Sequence, residues 1–319
     1  MDIHLYIENE NTVYEPVVEG SITWESQRMG QPGKCSFTLL PDNILKLEEG
    51  NAVRLDVNGT IVFFGYIFER SWNSDGQMKV TAYDQLRYLK NKDSYNYENK
   101  SAGDVVRMIA EDYNLKVGEL ENTGYIIENR NMKDKSLFDV ILDALDLTVM
   151  YAGEMYILYD EAGKLALKNI GNMKLDIVVD DTTAQDYDYT ISIDKDTYNQ
   201  IKLYCDNEET DKRDVYMVKH TENINKWGIL QKDEAIDQGV NGQGVAETYL
   251  TLYNRPTKSL SVKSAFGDVR IRAGCLVPVL LDIKEMKLKN YLLVEAVSHK
   301  IEGGVHTMDL TLRGAGISG

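Results

Sequence analysis

The chain has four histidines, His4, His220, His299 and His306. The last two are spaced to meet. Gly303-Gly304 lies between them in VEAVSHKIEGGVHTMDLTL and can close a two-residue hairpin, because paired glycines accept the positive φ that such turns need. In that register Ile301 opposes His306 and His299 opposes Met308. The two imidazoles then share a face as diagonal neighbours, about 7–8 Å apart at Cα. That is within reach of a shared metal. A metal site needs three or four ligands, and only Glu295 or Glu302 could add to the pair. We expect two hairpin-end histidines near the surface and no metal centre.

Other groups that could do chemistry are dispersed. Residues 176–188 carry five aspartates, Asp176, Asp180, Asp181, Asp186 and Asp188. Calcium asks for oxygen ligands at tight alternate spacing with a glycine at the turn. The spacing is loose and no DxDxDG occurs, so a solvated boundary loop is expected. Cys35, Cys205 and Cys275 are odd in number, far apart and without CxxC spacing. They predict neither a disulfide framework nor a zinc clip, and they fit a reducing compartment. There is no GxSxG, and no cysteine opens a helix that would lower its pKa. The 51 acidic residues leave a carboxylate-based cell-wall lyase or glycosidase open by counting, but no acid stands out. NGQGVAE (241–247) has two glycines before a helix, yet lacks the lysine and Ser/Thr of a phosphate loop and the third glycine of a dinucleotide fingerprint. It reads as a flexible helix start. LRYLKNKDSYNYENK (86–100) mixes Arg87, Lys90, Lys92 and Lys100 with Tyr88, Tyr95 and Tyr97, as single-strand binders do. Asp93 and Glu98 offset that charge, so a surface linker is expected. No catalytic, cofactor-binding or metal-binding residue is assigned.

The bulk properties are those of an ordinary globular chain. The 319 residues suffice for two or three domains. A hydrophobic fraction of 43 % and a charged fraction of 27 % are ordinary for a globular chain. The net charge of −16 argues against a surface that grips a nucleic-acid backbone, though not against a lumen through which cargo slides. Twenty tyrosines against six phenylalanines suit half-wet sheets and interfaces. The start, MDIHLYIENE, has no basic region followed by an apolar run, and no segment approaches the ~18 apolar residues of a membrane span. Synthesis in the cytosol without export by the usual route is expected.

The elements that must position these residues are mostly strands. Ile3, Leu5 and Ile7 alternate with His4 and Tyr6, and Cys35, Phe37 and Leu39 with Ser36 and Thr38. In VRLDVNGTIVFFGYIF, Asn58-Gly59 signals a tight hairpin that would set Val57 against Thr60, Leu55 against Val62 and Val53 against Phe64. Asp75-Gly76 breaks the next pair before MKVTAY. Strands this short and frequent predict a barrel or sandwich. After Tyr83 the pattern changes. DQLRYLKNK predicts a short helix or turn. Ser101 with Asp104 predicts a capped helix bearing Val105, Met108 and Ile109 on one side. GYIIENR reads as a strand. A second helix opens at Asp134 or Ser136, with Leu137, Val140, Ile141, Ala144 and Leu145 inward, and a hairpin turns about Glu161-Ala162-Gly163. From Tyr189 the β pattern resumes through Ile201, Leu203 and Cys205, then Val215 and Met217. Gly242 to Tyr253 predicts a helix with Val245, Ala246, Tyr249, Leu252 and Tyr253 on one side, packed on a barrel and stopped before Pro256. In the last hairpin Leu293, Val297, Ile301, Met308, Leu310 and Leu312 share a buried face. The expected fold is therefore a β-rich α+β chain. It comprises a β-barrel at 1–90, an α+β insert at 91–180 and a second β-barrel with one helix at 181–319.

Three features in order carry a family likeness. VTAYDQLRYLKN runs into the Ser-capped SAGDVVRMIAEDYNLKVG. NINKWGILQ precedes a helix with Ala246. FGDVRIRAGCLVPVLL then leads to VEAVSHKIEGGVHTMDLTL. The chain resembles the XkdQ/YqbQ-type tail proteins of defective prophages, within the wider late-control-protein-D-like group of baseplate hubs. The resemblance covers nearly the whole chain. It implies two tube-type domains per subunit and a homotrimer at the centre of the baseplate, forming a pseudo-sixfold ring between a sixfold tail tube and a trimeric spike. Implied partners are the tube or a tube-initiator protein, the spike, a tape-measure protein and a LysM-type baseplate protein, with no sequence-specific nucleic-acid binding and no membrane insertion. The implied place is a contractile phage tail or phage-tail-like particle assembled in the bacterial cytoplasm. Such a part is no enzyme and carries no cofactor. The competing readings are a peptidoglycan hydrolase of the same particle and a generic β-rich adhesin.

Overall fold

The computed structural model describes residues 1–40, 44–180, 182–183, 186–207, 212–236, 240–283 and 286–314. Strand outweighs helix, 53 % against 19 %, which makes the chain β-rich α+β. It divides into two compact units. One joins Met1–Asp188 with Ser261–Leu312, and the other joins Tyr189–Leu260 with the C-terminal residues from Arg313.

In the larger unit, alternating apolar residues build the first strands. These are β1 (Ile3–Asn9), β2 (Thr12–Tyr14), β3 (Val18–Gln27), β4 (Lys34–Leu39), β5 (Ala52–Val57), β6 (Thr60–Trp72) and β7 (Met78–Tyr83). Leu5 and Ile7 of β1, Cys35 and Phe37 of β4, Val53 and Leu55 of β5, Phe63 of β6 and Val80 of β7 meet in one core. One sheet whose successive strands share a core this way must curl around it. The β5–β6 hairpin turns at Asn58 and Gly59, both at positive φ, as expected. Its register is different. Val57 faces Thr60, but Leu55 faces Phe63 and Val53 faces Gly65, with a shift between Leu55 and Asp56. A bulge on β6 supplies the extra residue and sends Phe63 inward instead of Phe64. Gly65 explains the need for this shift. A Cβ there would stand 2.3 Å from the Tyr83 carbonyl oxygen, so only glycine can sit against β7.

A 3-10 turn, Gln85–Lys90, leaves the sheet. The stretch expected as a linker is instead β8 (Lys92–Lys100), paired with β10 (Ile127–Ser136). Tyr95 and Tyr97 alternate inward and are buried, while the charges offset between them face water. Helix α1 (Ala102–Asp112) starts at Ser101 and α2 (Leu137–Ala152) at Ser136, each with a reciprocal capping box to Asp104 and Asp139. These boxes satisfy two backbone donors at each helix start. The helices share a core with β9 (Val117–Leu120), β11 (Tyr156–Asp160) and β12 (Leu165–Asn169). The expected hairpin at 161–163 joins β11 to β12.

Next come β13 (Val179–Asp180) and β14 (Asp186–Ser192). Then follow β15 (Gln200–Asn207), β16 (Lys212–Lys219), helix α3 (Thr221–Trp227), β17 (Gln231–Ala235) and helix α4 (Gly242–Tyr253). The chain closes with β18 (Thr257–Phe266), β19 (Leu276–Ile283), β20 (Met286–Glu302) and β21 (Val305–Gly314). Strands from the two regions expected as β-barrels are joined by hydrogen bonds in one 13-stranded sheet. The seam is β3 against β20, with Trp24 opposite His299 and Ile22 opposite Ile301.

In the smaller unit β16, β15 and β17 form their own sheet. Helix α4 has the expected bounds, but it packs on that three-stranded sheet rather than on a barrel. A Cβ at Gly242 would lie 2.3 Å from the Tyr216 ring. Val245 and Ala246 of α4, and Ile201, Leu203 and Cys205 of β15, are buried. Asn223 and Trp227 fall in α3, which periodicity alone did not reveal.

Candidate functional site

The hairpin does bring His299 and His306 together, but not at the surface. His299 is 0 % exposed. Its ring stacks on Trp24 with centroids 4.5 Å apart. Nε2 lies 2.9 Å from the Ile271 carbonyl oxygen and can only donate to it. Nδ1 is then an acceptor, and His306 Nε2–H donates to it at 2.9 Å. The partners thus fix both tautomers. Burial, with the neighbouring His306, pushes the His299 pKa down to about 3, and burial also lowers that of His306. The proposed extra ligands point elsewhere: Glu295 pairs with Arg28 at 2.8 Å and Glu302 with Lys300 at 2.6 Å. The expectation of a surface histidine is corrected for His299, while His306 is half-buried. The reason is β3, which covers this face of the hairpin and brings Trp24 onto the ring.

The aspartates of 176–188 are not brought together. Asp176 reaches Arg270 at 3.4 Å. Asp180 accepts from the N–H groups of Thr182 and Thr183, each at 3.0 Å. Asp186 and Asp188 belong to β14, and Asp181 lies outside the described residues. Among the described residues no group of three or more His, Cys, Asp or Glu could hold a metal. The three cysteines are buried and are not joined in a disulfide. Burial raises the Cys35 thiol to about 12 and raises Cys275, which makes poor nucleophiles. Asn241, before α4, accepts from Gly244 N–H at 3.1 Å, so NGQGVAE serves as a helix cap.

A buried polar centre in the larger unit has no signal in the sequence. Asp84 follows β7, Asp160 ends β11 and Arg272 precedes β19. Asp84 starts the 3-10 turn and Asp160 starts a hairpin turn. In sequence both look like ordinary turn aspartates, and nothing marks them as neighbours.

The surface carries the remaining candidates. Strand β2 ends the large sheet, and Val13 and the nearby Val17 are 62 % and 70 % exposed. In the smaller unit β16 is an edge strand whose Val215 and Met217 are half exposed. They lie opposite Tyr204 and Lys202. A cleft of about 250 Å³ in the larger unit is lined by Phe64, Tyr66, Tyr88, Tyr113 and Lys116. Unpaired edges and exposed apolar side chains of this kind suit association with other chains.

The chain belongs to the YQBQ-like family, whose model matches residues 22–313. It is 29 % identical to the phage-like element PBSX protein XkdQ of Bacillus subtilis (strain 168), over 97 % of this chain and 96 % of the relative. Its fold is similar to that of the 43 kDa tail protein of prophage MuSo2 from Shewanella oneidensis, with a TM-score of 0.71 and 12 % identity, covering 97 % of this chain and 98 % of that one. It is also similar to the E. coli c3393 protein, described as a component of the type VI secretion system with structural similarity to the T4 tail proteins gp27 and gp5. That match has a TM-score of 0.55 and 10 % identity and covers 97 % of this chain and 76 % of that one. These similarities make the chain a phage-tail- or baseplate-like protein.

Proposed function

We propose that this chain is the structural hub of the baseplate of a contractile phage tail or phage-tail-like particle. Three copies form a pseudo-sixfold ring that joins the tail tube to the central spike. The observation that carries the reading is the β3–β20 seam, by which strands from the two ends of one chain enter a single sheet. A chain with two β bodies, at 1–90 and 181–319 around an insert at 91–180, offers six near-equivalent surfaces from three copies. That resolves the mismatch between a sixfold tube and a threefold spike. The open edge at β2 and the exposed Val13 and Val17 supply contact surface. The likeness of the E. coli relative to gp27 and gp5 supports the same role. The partners are two further copies, the tube or its initiator, the spike, and the tape-measure and LysM-type baseplate proteins. Assembly takes place in the bacterial cytoplasm. The work is done by surfaces and not by catalysis. Mass photometry of the full chain, alone and with tube and spike proteins, tests this. Trimers, or trimers on mixing, are expected; a chain that stays monomeric under every mixture overturns the reading.

A further inference from the structure

Asp84, Asp160 and Arg272 come from distant parts of the chain and meet inside the larger unit. Asp84 is 5 % exposed and Asp160 is 9 % exposed. Both oxygens of Asp84 are used: Oδ2 accepts from Gly33 N–H at 2.8 Å and Oδ1 from Leu86 N–H at 3.0 Å. The fit is close, since a Cβ at Gly33 would stand 2.4 Å from Oδ2. Asp160 uses one oxygen, with Oδ1 accepting from Gly163 N–H at 2.7 Å. Its Oδ2 is buried, and although Gln85 lies near, no donor meets hydrogen-bond geometry there. Arg272 has the complementary deficit. Nη2 donates to the Asp160 carbonyl oxygen at 2.7 Å and the guanidinium lies 3.8 Å over the Tyr159 ring. Its Nε–H is buried with no acceptor.

The residues that carry these orphaned atoms line one cavity with Asp84, and its volume is about 20 Å³. That is room for one water, which requires about 10–15 Å³ of such space. A water offers two donors and two acceptors and so matches the two deficits. Charge makes a second demand. Two carboxylates and one guanidinium leave a net charge of −1, and an uncompensated buried charge is costly. One proton removes it.

We propose that this cavity is a built site for one water and one proton. The water donates to Asp160 Oδ2 and accepts from Arg272 Nε–H, and the Asp84–Asp160 pair holds one proton at neutral pH. The loaded site ties together the corner after β7, the end of β11 and the loop before β19.

The surroundings favour proton uptake. Burial pushes the Asp160 carboxyl up to about 6, against the pull of the Gly163 N–H, Gln85 and Arg272. Burial and the neighbouring Asp160 hold Asp84 well above the usual range. Tyr159, on the same strand, is held neutral by burial, its hydroxyl 3.3 Å from Glu161. Behind Trp24, which lines the cavity, His299 is neutral. Among the described residues no other charged side chain lines the space. The folded chain therefore keeps protons that an unfolded aspartate releases near pH 4. The Asp160 part of this contribution is full below that range and is lost as pH rises through about 6, while the raised Asp84 leaves one proton on the pair at neutral pH.

The test uses the full chain. Urea unfolding is followed from pH 4 to pH 7 for the wild type, Asp160→Asn and Asp84→Asn. An amide leaves one carboxylate to pair with Arg272 and removes the need for the proton. The folding constant of Asp160→Asn relative to wild type is expected to rise roughly 100-fold from pH 4 to pH 7. A ratio that does not change with pH overturns the proposal. Infrared spectra of 13C-aspartate protein at pH 7 need no variant to fold: a protonated carboxyl signal is expected and its absence overturns the proton. A crystal structure should place one water within hydrogen-bond distance of Asp160 Oδ2 and Arg272 Nε. A metal ion or a dry cavity there overturns the water.

Discussion

Acid should weaken this fold through one ring. His299 is fully buried, donates to the Ile271 carbonyl, accepts from His306 and stacks on Trp24. A second proton on this ring would have to sit on Nδ1, facing the His306 donor, and the nearby Asp268 charge only partly offsets the cost of burial. The folded ring therefore stays neutral down to about pH 3. In the unfolded chain the same ring takes up a proton below about pH 6.5. The unfolded state then binds more protons, so stability falls as pH falls between these values. The whole gap, from 6.5 to about 3, corresponds to about 4–5 kcal/mol at roughly 1.4 kcal/mol per unit. About 2 kcal/mol of it is lost between pH 7.5 and pH 5. The measurement is urea unfolding of wild type and His299→Gln at both pH values. The variant is less stable throughout, since it loses the stack on Trp24, but it should lack this part of the pH slope. The Asp84–Asp160 site acts in the opposite direction over part of the same window, so the difference between variant and wild type is the quantity to read, not the wild-type profile. A variant with an unchanged slope, or a His299 ring that titrates above pH 5 by NMR, refutes the reasoning.

Gly267→Ala should displace His306, because its Cβ would meet the ring at 2.1 Å; a loss of about 1–3 kcal/mol in denaturant unfolding is expected. Ser136→Ala removes the acceptor for Asp139 N–H and should cost about 1 kcal/mol. Ser136→Asp should restore most of that, again by denaturant unfolding.

Much of the fold was legible because its rules are local. Ser101 and Ser136 announce their helices through side chains that bond three residues ahead, and Asn58-Gly59 announces a turn through its own φ angles. The face of the last hairpin followed from strict alternation, and Leu293, Val297, Ile301, Met308, Leu310 and Leu312 are all buried. The misses depend on distant partners. The β6 bulge exists because Gly65 meets the Tyr83 carbonyl, a contact that no hairpin rule contains. Residues 92–100 form a strand only because β10 supplies the other side. The burial of His299 needs β3 to lie on β20, a pairing across more than 250 residues of sequence. Asp84, Asp160 and Arg272 were invisible for the same reason: each obeys local turn chemistry, and only the fold makes them one cluster.

Both buried polar centres flank the β3–β20 seam, and that placement has a consequence. Trp24 stacks on His299 and also lines the cavity with Asp160 and Arg272. Alternation alone specifies the seam poorly, because Ile22, Trp24 and Ser26 could slide by two residues and keep the same face inward. Polar partners do not tolerate that. A two-residue slip would take Trp24 off His299 and draw Ser26 Oγ away from Ala273 N–H, now 3.1 Å apart. It would also break the Arg28–Glu295 pair at 2.8 Å. Loss of the Ser26 bond strands a part-buried backbone N–H, which costs more than the bond contributed. The polar groups thus act less as stabilisers than as a register lock.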